Sequence, residues 1–203
     1  EQFSNIPQRA FRIRGVKTRI PSANTNSTTA TYTQSTTTIT ISSNSHGLAV
    51  GDSIIFDATS GAGVDGTYQI ATVPDANSFT FTAGNSQTVT TSNCTYKITP
   101  HVDLQTGRIN YPNGYIFNGT MGAAQWNSCP SMSLLDLLTT ERYGFGTHIL
   151  DTDIDFYSFV EASKYSNELV SDGFGGQEAR FSLNVNIQAS QEAFSLINNI
   201  CGV

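Results

Sequence analysis

The chain has 203 residues, of which 38% are hydrophobic and only 13% charged, with a net charge of −6. That charged share is low against an average near ~25%, and Ser, Thr, Asn and Gly take up the difference. Twelve Phe and eight Tyr require a core, which excludes a disordered chain. The length suits one large domain or two small ones. No apolar run approaches the ~18 residues of a membrane-spanning helix, and no secretory leader is recognisable. Cys94, Cys129 and Cys201 are too few and too scattered for a disulfide framework, and read as free thiols or one chance pair. The absence of an initiator Met and of a capping pattern at the end suggests an internal fragment of a longer protein.

Residues 1–20 carry Arg9, Arg12, Arg14, Lys17 and Arg19 against Glu1, a local charge of +4 that leaves −10 for the rest. A broad basic surface for nucleic acid is therefore not expected. In this stretch Phe11 and Ile13 share one face, and Val16, Thr18 and Ile20 share one. The flip at Gly15 predicts a β-bulge, with Arg12, Arg14, Lys17 and Arg19 on the opposite face. That strip is either a solvated strand face or a contact with an acidic partner, and we take it as a candidate inter-subunit contact.

Residues 22–38 are nearly all Ser, Thr, Asn and Ala, the composition of a linker. Five short alternating segments follow: Thr38–Ser42, Ser53–Asp57, Thr67–Val73, Ser78–Thr82 and Tyr96–Ile98. The turn signals between them include Val50-Gly51-Asp52, Pro74–Asn77 and Gly84-Asn85. This spacing predicts a small β barrel or sandwich, placed at 36–98 between flanks 1–35 and 99–203. The block resembles a small β-barrel module seen as insertions in phage proteins and in the first half-domain of the ubiquitin-activating enzyme. The resemblance rests on Ser45-His46-Gly47-Leu48, Val50-Gly51-Asp52, Asp65-Gly66-Thr67-Tyr68 and Phe79-Thr80-Phe81.

Beyond Pro100, Pro112-Asn113-Gly114 reads as a turn, Tyr115-Ile116-Phe117 as a short strand and Asn118-Gly119 as another turn. Leu134, Leu135, Leu137 and Leu138 mark a first helix, capped by Ser131 or Ser133 and followed by Gly144 and Gly146, candidates for positive φ. A second helix is predicted from about Asp155 to Val170, then a turn at Ser171–Gly176 and a strand over 178–188, with Phe181, Leu183, Val185 and Ile187 on one face. Gln191–Ile200, with Phe194, Ile197 and Ile200 at helical spacing, reads as a third helix. The fold class is thus α+β, with three helices and an inserted all-β block.

The chemistry-bearing residues are sparse. Asp151, Asp153 and Asp155 suggest a calcium loop, but its sixth and twelfth positions hold Phe156 and Ala162 instead of Gly and Glu. They read better as helix-capping acids. Asp172-Gly-Phe-Gly-Gly-Gln177 lacks the Lys-Ser or Lys-Thr of a phosphate loop and reads as a turn. His46, His101 and His148 stand apart, and no nucleophile elbow is present. Asn26 and Asn118 begin formal glycosylation sequons. No catalytic residue, metal ligand or cofactor is expected.

The flanks together resemble the tail tip attachment protein J family of long-tailed bacteriophages, the host-specificity or central tail hub proteins. The resemblance rests on Arg12–Asn24, Tyr115–Thr120, Leu134–Gly146, Asp172–Phe181 and Asn184–Ile187, and covers roughly 1–24 and 100–203. The 36–98 block departs from the family pattern, in which the first strand passes to the next within a few residues. The resemblance implies a virion component, made in the host bacterial cytoplasm, that forms trimers, closes the tail tube and contacts other tail proteins. Host-receptor contact is implied for other parts of the full-length protein, and no enzymatic role. The alternatives are a carbohydrate-binding adhesin and a tail-associated glycan hydrolase. The first requires an exposed aromatic platform drawn from Tyr68, Phe79, Phe81 and Tyr96. The second requires paired carboxylates about 5–10 Å apart across a cleft.

Overall fold

A computed structural model describes residues 15–185 and 192–202. In chain order its elements are β1 (Lys17–Pro21), β2 (Thr28–Ser42), β3 (Ser53–Ala58), β4 (Gly66–Gln69), β5 (Thr72–Asp75) and β6 (Ser78–Thr99). They continue with β7 (His101–Val102), β8 (Ile109–Asn110), β9 (Met121–Trp126), α1 (Pro130–Thr139), α2 (Phe156–Ser166), β10 (Leu169–Ser171), β11 (Gln177–Ala179) and α3 (Ala193–Cys201). The class is α+β.

The largest sheet is antiparallel, in the order β2-β6-β3-β4, with β5 also paired to β6. No ladder joins β2 to β4 among the described residues, so the sheet is open. Three of the expected short strands are ends of long ones, Ser78–Thr82 and Tyr96–Ile98 being the two ends of β6. Thr38–Ser42 continues back to Thr28, and Ser78–Thr82 runs without a turn through Gly84-Asn85 to Thr99. The stretch 28–35, linker-like in composition, is therefore strand: Thr28–Tyr32 pairs with Ser92–Tyr96, and Ala30, Tyr32 and Gln34 are buried. Apart from the buried Gln34, its polar residues are exposed, which is why composition alone suggested a linker. Thr67–Val73 is divided instead, into β4 and β5, with Ile70 buried between them.

Irregularities at Tyr32/Gln34 and Thr36/Thr38 interrupt the β2–β6 ribbon, and Thr36 takes φ of +54°. Such bulges bend a strand. The bend lets both halves of each long strand reach one core. Phe56 meets Tyr32 from the first half of β2 and Phe81 opposite its second half, each with ring centroids 5.3 Å apart. Ile39, Ile41, Ile54, Ile70, Phe79 and Tyr96 complete this core. The corner holds a buried amide. Gln34 donates to the Thr36 and Asn85 carbonyls and accepts from Gln87, the full pairing that a buried polar group requires.

A second core gathers Ile20, Val102, Ile109, Cys129, Met132 and Leu135, and a third gathers Tyr115, Phe117 and Val160. Tyr111, Met121 and Phe156 pack against both, while Ile98 packs against the third core and the sheet core. β1 pairs with β9, Thr18 and Ile20 facing inward. The ladder begins at Lys17, so Gly15 precedes it, and the register shift falls between Arg19 and Pro21.

Helix α1 starts with Cys129 as N-cap and Pro130 in the first turn, not with a serine cap. Proline fits there because its missing N–H would have no helical partner, and Ser133 Oγ instead donates to the Cys129 carbonyl. Neither Gly144 nor Gly146 adopts positive φ. Both are needed for close approach, since a Cβ would overlap the carbonyl oxygen of Leu137 at one and of Thr139 at the other. Helix α2 is capped by Asp155, whose carboxylate accepts from Tyr157 N. It stops at Ser166, four residues short of Val170, because Asn167 and its neighbours bond elsewhere: Arg180 N to Glu168 O and Phe181 N to Ser166 O. Val170 belongs to the β10–β11 hairpin. Tyr115–Phe117 forms no strand, although Tyr115 and Phe117 are buried as alternation predicts and Ile116 is exposed. Of the strand expected over 178–188, Glu178–Ala179 lies in β11 and 180–185 forms none, while 186–188, with Ile187, lie outside the described residues. The three cysteines are free, Cys94 and Cys129 buried and Cys201 exposed. Burial pushes the Cys94 thiol up to about 11, which keeps it protonated and unreactive at neutral pH.

Candidate interaction surface

Of the basic strip, Arg12 and Arg14 lie outside the described residues. Lys17 is exposed on the outer face of β1. Arg19, two residues on and on the same face, is engaged within the chain. Its guanidinium donates to both carboxylate oxygens of Asp151, at 3.1 and 3.2 Å, and to Thr139 Oγ1 at 3.2 Å. It also lies 5.7 Å from the centre of the Phe156 ring. The pair fastens the β1 edge to the loop between α1 and α2, using one of the three acids Asp151, Asp153 and Asp155.

The other two acids of that stretch have separate tasks. Asp153 accepts from Leu150 N at 3.0 Å, and Asp155 caps α2. Among the described residues no cluster of three or more His, Cys, Asp or Glu is placed to hold a metal ion.

The Asp172–Gln177 turn forms the tip of the β10–β11 hairpin. Asp172 Oδ1 accepts from Phe174 N and Gly176 N at 2.8 and 2.9 Å, and Asp172 N donates to Gly176 O. With Gly173 and Gly175 at positive φ, this turn presents Phe174 at 97% exposure. Near the hairpin base a groove of about 390 Å³ opens between α1, α2 and α3, walled by Leu134, Phe159, Tyr165, Phe181 and Ile200. Arg180 stiffens that wall: it lies 4.5 Å from the Tyr165 ring centre and bonds Glu168 at 2.6 Å.

The aromatic side chains that a carbohydrate platform would need are turned inward. Phe79, Phe81 and Tyr96 are buried, and Tyr68 stacks on Phe81 at 4.5 Å between centroids. What the sequence did not mark is a polar spine joining the sheet to α2. Ala49 N and Asn110 Nδ2 donate to the Asp52 carboxylate. Arg108 donates to Asn110 Oδ1 and to Asn167 O, and Ile109 N donates to Asn167 Oδ1. Asn167 also donates to Ser163 O, so its amide is bonded on both sides.

A recognisable relative decides the family resemblance. Tip attachment protein J of Escherichia phage SECphi27 is 38% identical over 104 residues, 47% of this chain and 9% of that protein. The chain is similar to tip attachment protein J. The protein of the same name from Escherichia phage SECphi4 is 30% identical over 95 residues, 47% of this chain and 8% of that protein. The chain thus spans less than a tenth of the length of these relatives. No family model matches. Among solved structures, the phage phi92 endosialidase aligns with 52% of this chain and 15% of its own, at 22% identity and a TM-score of 0.28.

Proposed function

We propose that this chain is a structural segment of a bacteriophage tail tip, part of the hub that closes the tail and supports the receptor-reading regions carried elsewhere. The observation that carries this reading is the match to two tip attachment proteins J. In the proposal the chain works by assembly, not by catalysis, as a homo-oligomer, with a trimer as the expected form. Its neighbours are other tail proteins, and its place is the virion.

The β block is read as an inserted small sandwich or barrel. Its supports are a core of its own and ends that lie together, with Asn24 N donating to Ile98 O at 2.9 Å. The ladder supports limits near 28–99 in place of 36–98.

The basic strip is proposed as an inter-subunit contact through Lys17 with Arg12 and Arg14, leaving Arg19 to its partner within the chain. Charge complementarity across an interface mainly sets register and association rate. Replacing Arg12, Arg14 and Lys17 together by Gln is expected to slow assembly into tails and flatten its salt dependence, with the melting temperature unchanged. Normal assembly of that variant would make the strip a solvated strand face. For the function itself, gold-labelled antibody to this chain is expected to decorate the distal tail end in electron micrographs of intact particles. Label on the head or along the tube would overturn the reading.

A further inference from the structure

We propose that the pocket between the β8–Tyr115 segment and the end of α2 binds a small oxyanion, a carboxylate or phosphate borne on a ligand about the size of one sugar residue. The proposal is independent of the tail-tip reading.

The pocket has about 320 Å³ and is lined by Arg108, Tyr111, Asn113, Tyr115, Lys164 and Glu168, among others. That volume lies at the small end of ligand sites. Its charge is the unusual part in a chain of net −6. Arg108 is half-buried and makes no ion pair among the described residues. Its two recorded acceptors are neutral, the Asn167 carbonyl and Asn110 Oδ1, each at 3.0 Å. Asp52 and Asp103 act on Arg108 through space and accept no hydrogen bond from it among the described residues. Asp52 accepts from Ala49 N and Asn110 Nδ2, and Asp103 accepts from Gln105 N and Thr106 Oγ1.

The guanidinium is thus held in a fixed orientation with donors to spare, since it carries five N–H groups. A half-buried cation is costly to desolvate: burial pulls the Arg108 pKa down, and the charges of Asp103 and Asp52 offset part of that. An arriving oxyanion relieves that cost, and a fixed fork suits carboxylate or phosphate.

The second cation, Lys164, stands over the Tyr115 ring at 5.5 Å and pairs with Glu161 at 2.7 Å, where the glutamate side chain is 69% exposed. A water-facing pair of this kind is weak, so the ammonium remains available to a ligand. The pocket's own carboxylate, Glu168, pairs with Arg180 at 2.6 Å in a bridge about as exposed as that of Lys164. The lining thus holds two cations, Arg108 and Lys164, against one carboxylate.

The test is a calorimetric and NMR titration of the folded chain with glucuronate, glucose 6-phosphate, inorganic phosphate and glucose. A saturable response centred on Gly114, Tyr115 and Lys164 is expected for at least one anion, with a dissociation constant of about a millimolar. Glucose is expected to give none. Response to glucuronate alone assigns a carboxylate. Response to glucose 6-phosphate but not inorganic phosphate assigns a sugar-borne phosphate. Arg108→Lys, which loses the fork, is expected to weaken binding roughly tenfold. Lys164→Gln, which leaves the spine intact, is expected to weaken it roughly two- to fivefold and serves if the Arg108 variant does not fold. The proposal is overturned by silence from all three anions up to on the order of 50 mM. It is equally overturned by an equal response to glucose, by a response to inorganic phosphate alone, or by binding that Lys164→Gln leaves unchanged.

Discussion

Arg19 and Asp151 are 35% and 56% exposed at the side chain, with N–O of 3.1 Å. Water screens such a pair, so a double-mutant cycle of Arg19→Gln and Asp151→Asn is expected to return a coupling of about 0.2–1 kcal/mol; a coupling above ~2 kcal/mol would show that the pair locks the loop. Gly144 behaves differently, because a Cβ there meets backbone, which cannot turn aside. Gly144→Ala is expected to cost about 1–3 kcal/mol in urea unfolding, as overpacking does, while Gly84→Ala, with open space around it, stays within about 0.5 kcal/mol. His101 supplies a pH dependence. Burial, with Arg108 nearby, pulls its pKa below 6.5, and among the described residues its Nδ1 has no hydrogen-bond partner. As pH falls below 6.5 the unfolded chain takes the proton first. The contribution of His101 is therefore fully present above pH 6.5, shrinks as pH drops towards its folded pKa, and is constant below that. His101→Gln is expected to flatten the urea midpoint across this window; an unchanged slope would remove His101 as its source.

At the scale of elements, the strand signals of the β block were local and held, whereas Tyr115–Phe117 alternates in burial without forming a strand. Ile39 and Ile41 or Phe79 and Phe81 sit two apart, so alternation places them on one face whatever surrounds them, and all four are buried. The Asp155 cap was legible for the same reason, its bond reaching only Tyr157. The length of β2 was not legible, because Thr28–Thr37 is polar on its outer face and gains its inner face only when β6 lies alongside. Helix α2 likewise ends where distant donors compete: the Asn167 carbonyl accepts from Arg108, and its Oδ1 accepts from Ile109 N, 58 residues away. Asn167→Ala is expected to leave the Ile109 N–H buried and unpaired and to cost about 1–3 kcal/mol, read as a lower denaturation midpoint with an unchanged slope. A loss under ~0.5 kcal/mol would mean that the spine is dispensable.

For the whole molecule, joining Ala23 to His101 by a short Gly-Ser bridge removes the sheet core and keeps the other two. The deleted piece takes with it Asp52 and Ile98, its contacts to the spine and to the Tyr115 core. The shortened chain is expected to melt in one cooperative transition at a somewhat lower temperature; a gradual, non-cooperative melt would show that the cores fold as one. The sequence by itself determined the α+β class, the three helices, most of the turns and the family resemblance, all of which rest on residue spacing, steric preference or motifs read within a few positions. Only the tertiary structure decided the reach of β2 and β6, the end of α2, the pairing of Arg19 with Asp151 and the charge left on Arg108. Each of these depends on which groups meet across 50 to 130 residues of chain, as the separations of 53, 58 and 132 in their bonds record, and that meeting is settled by packing, which no local pattern encodes.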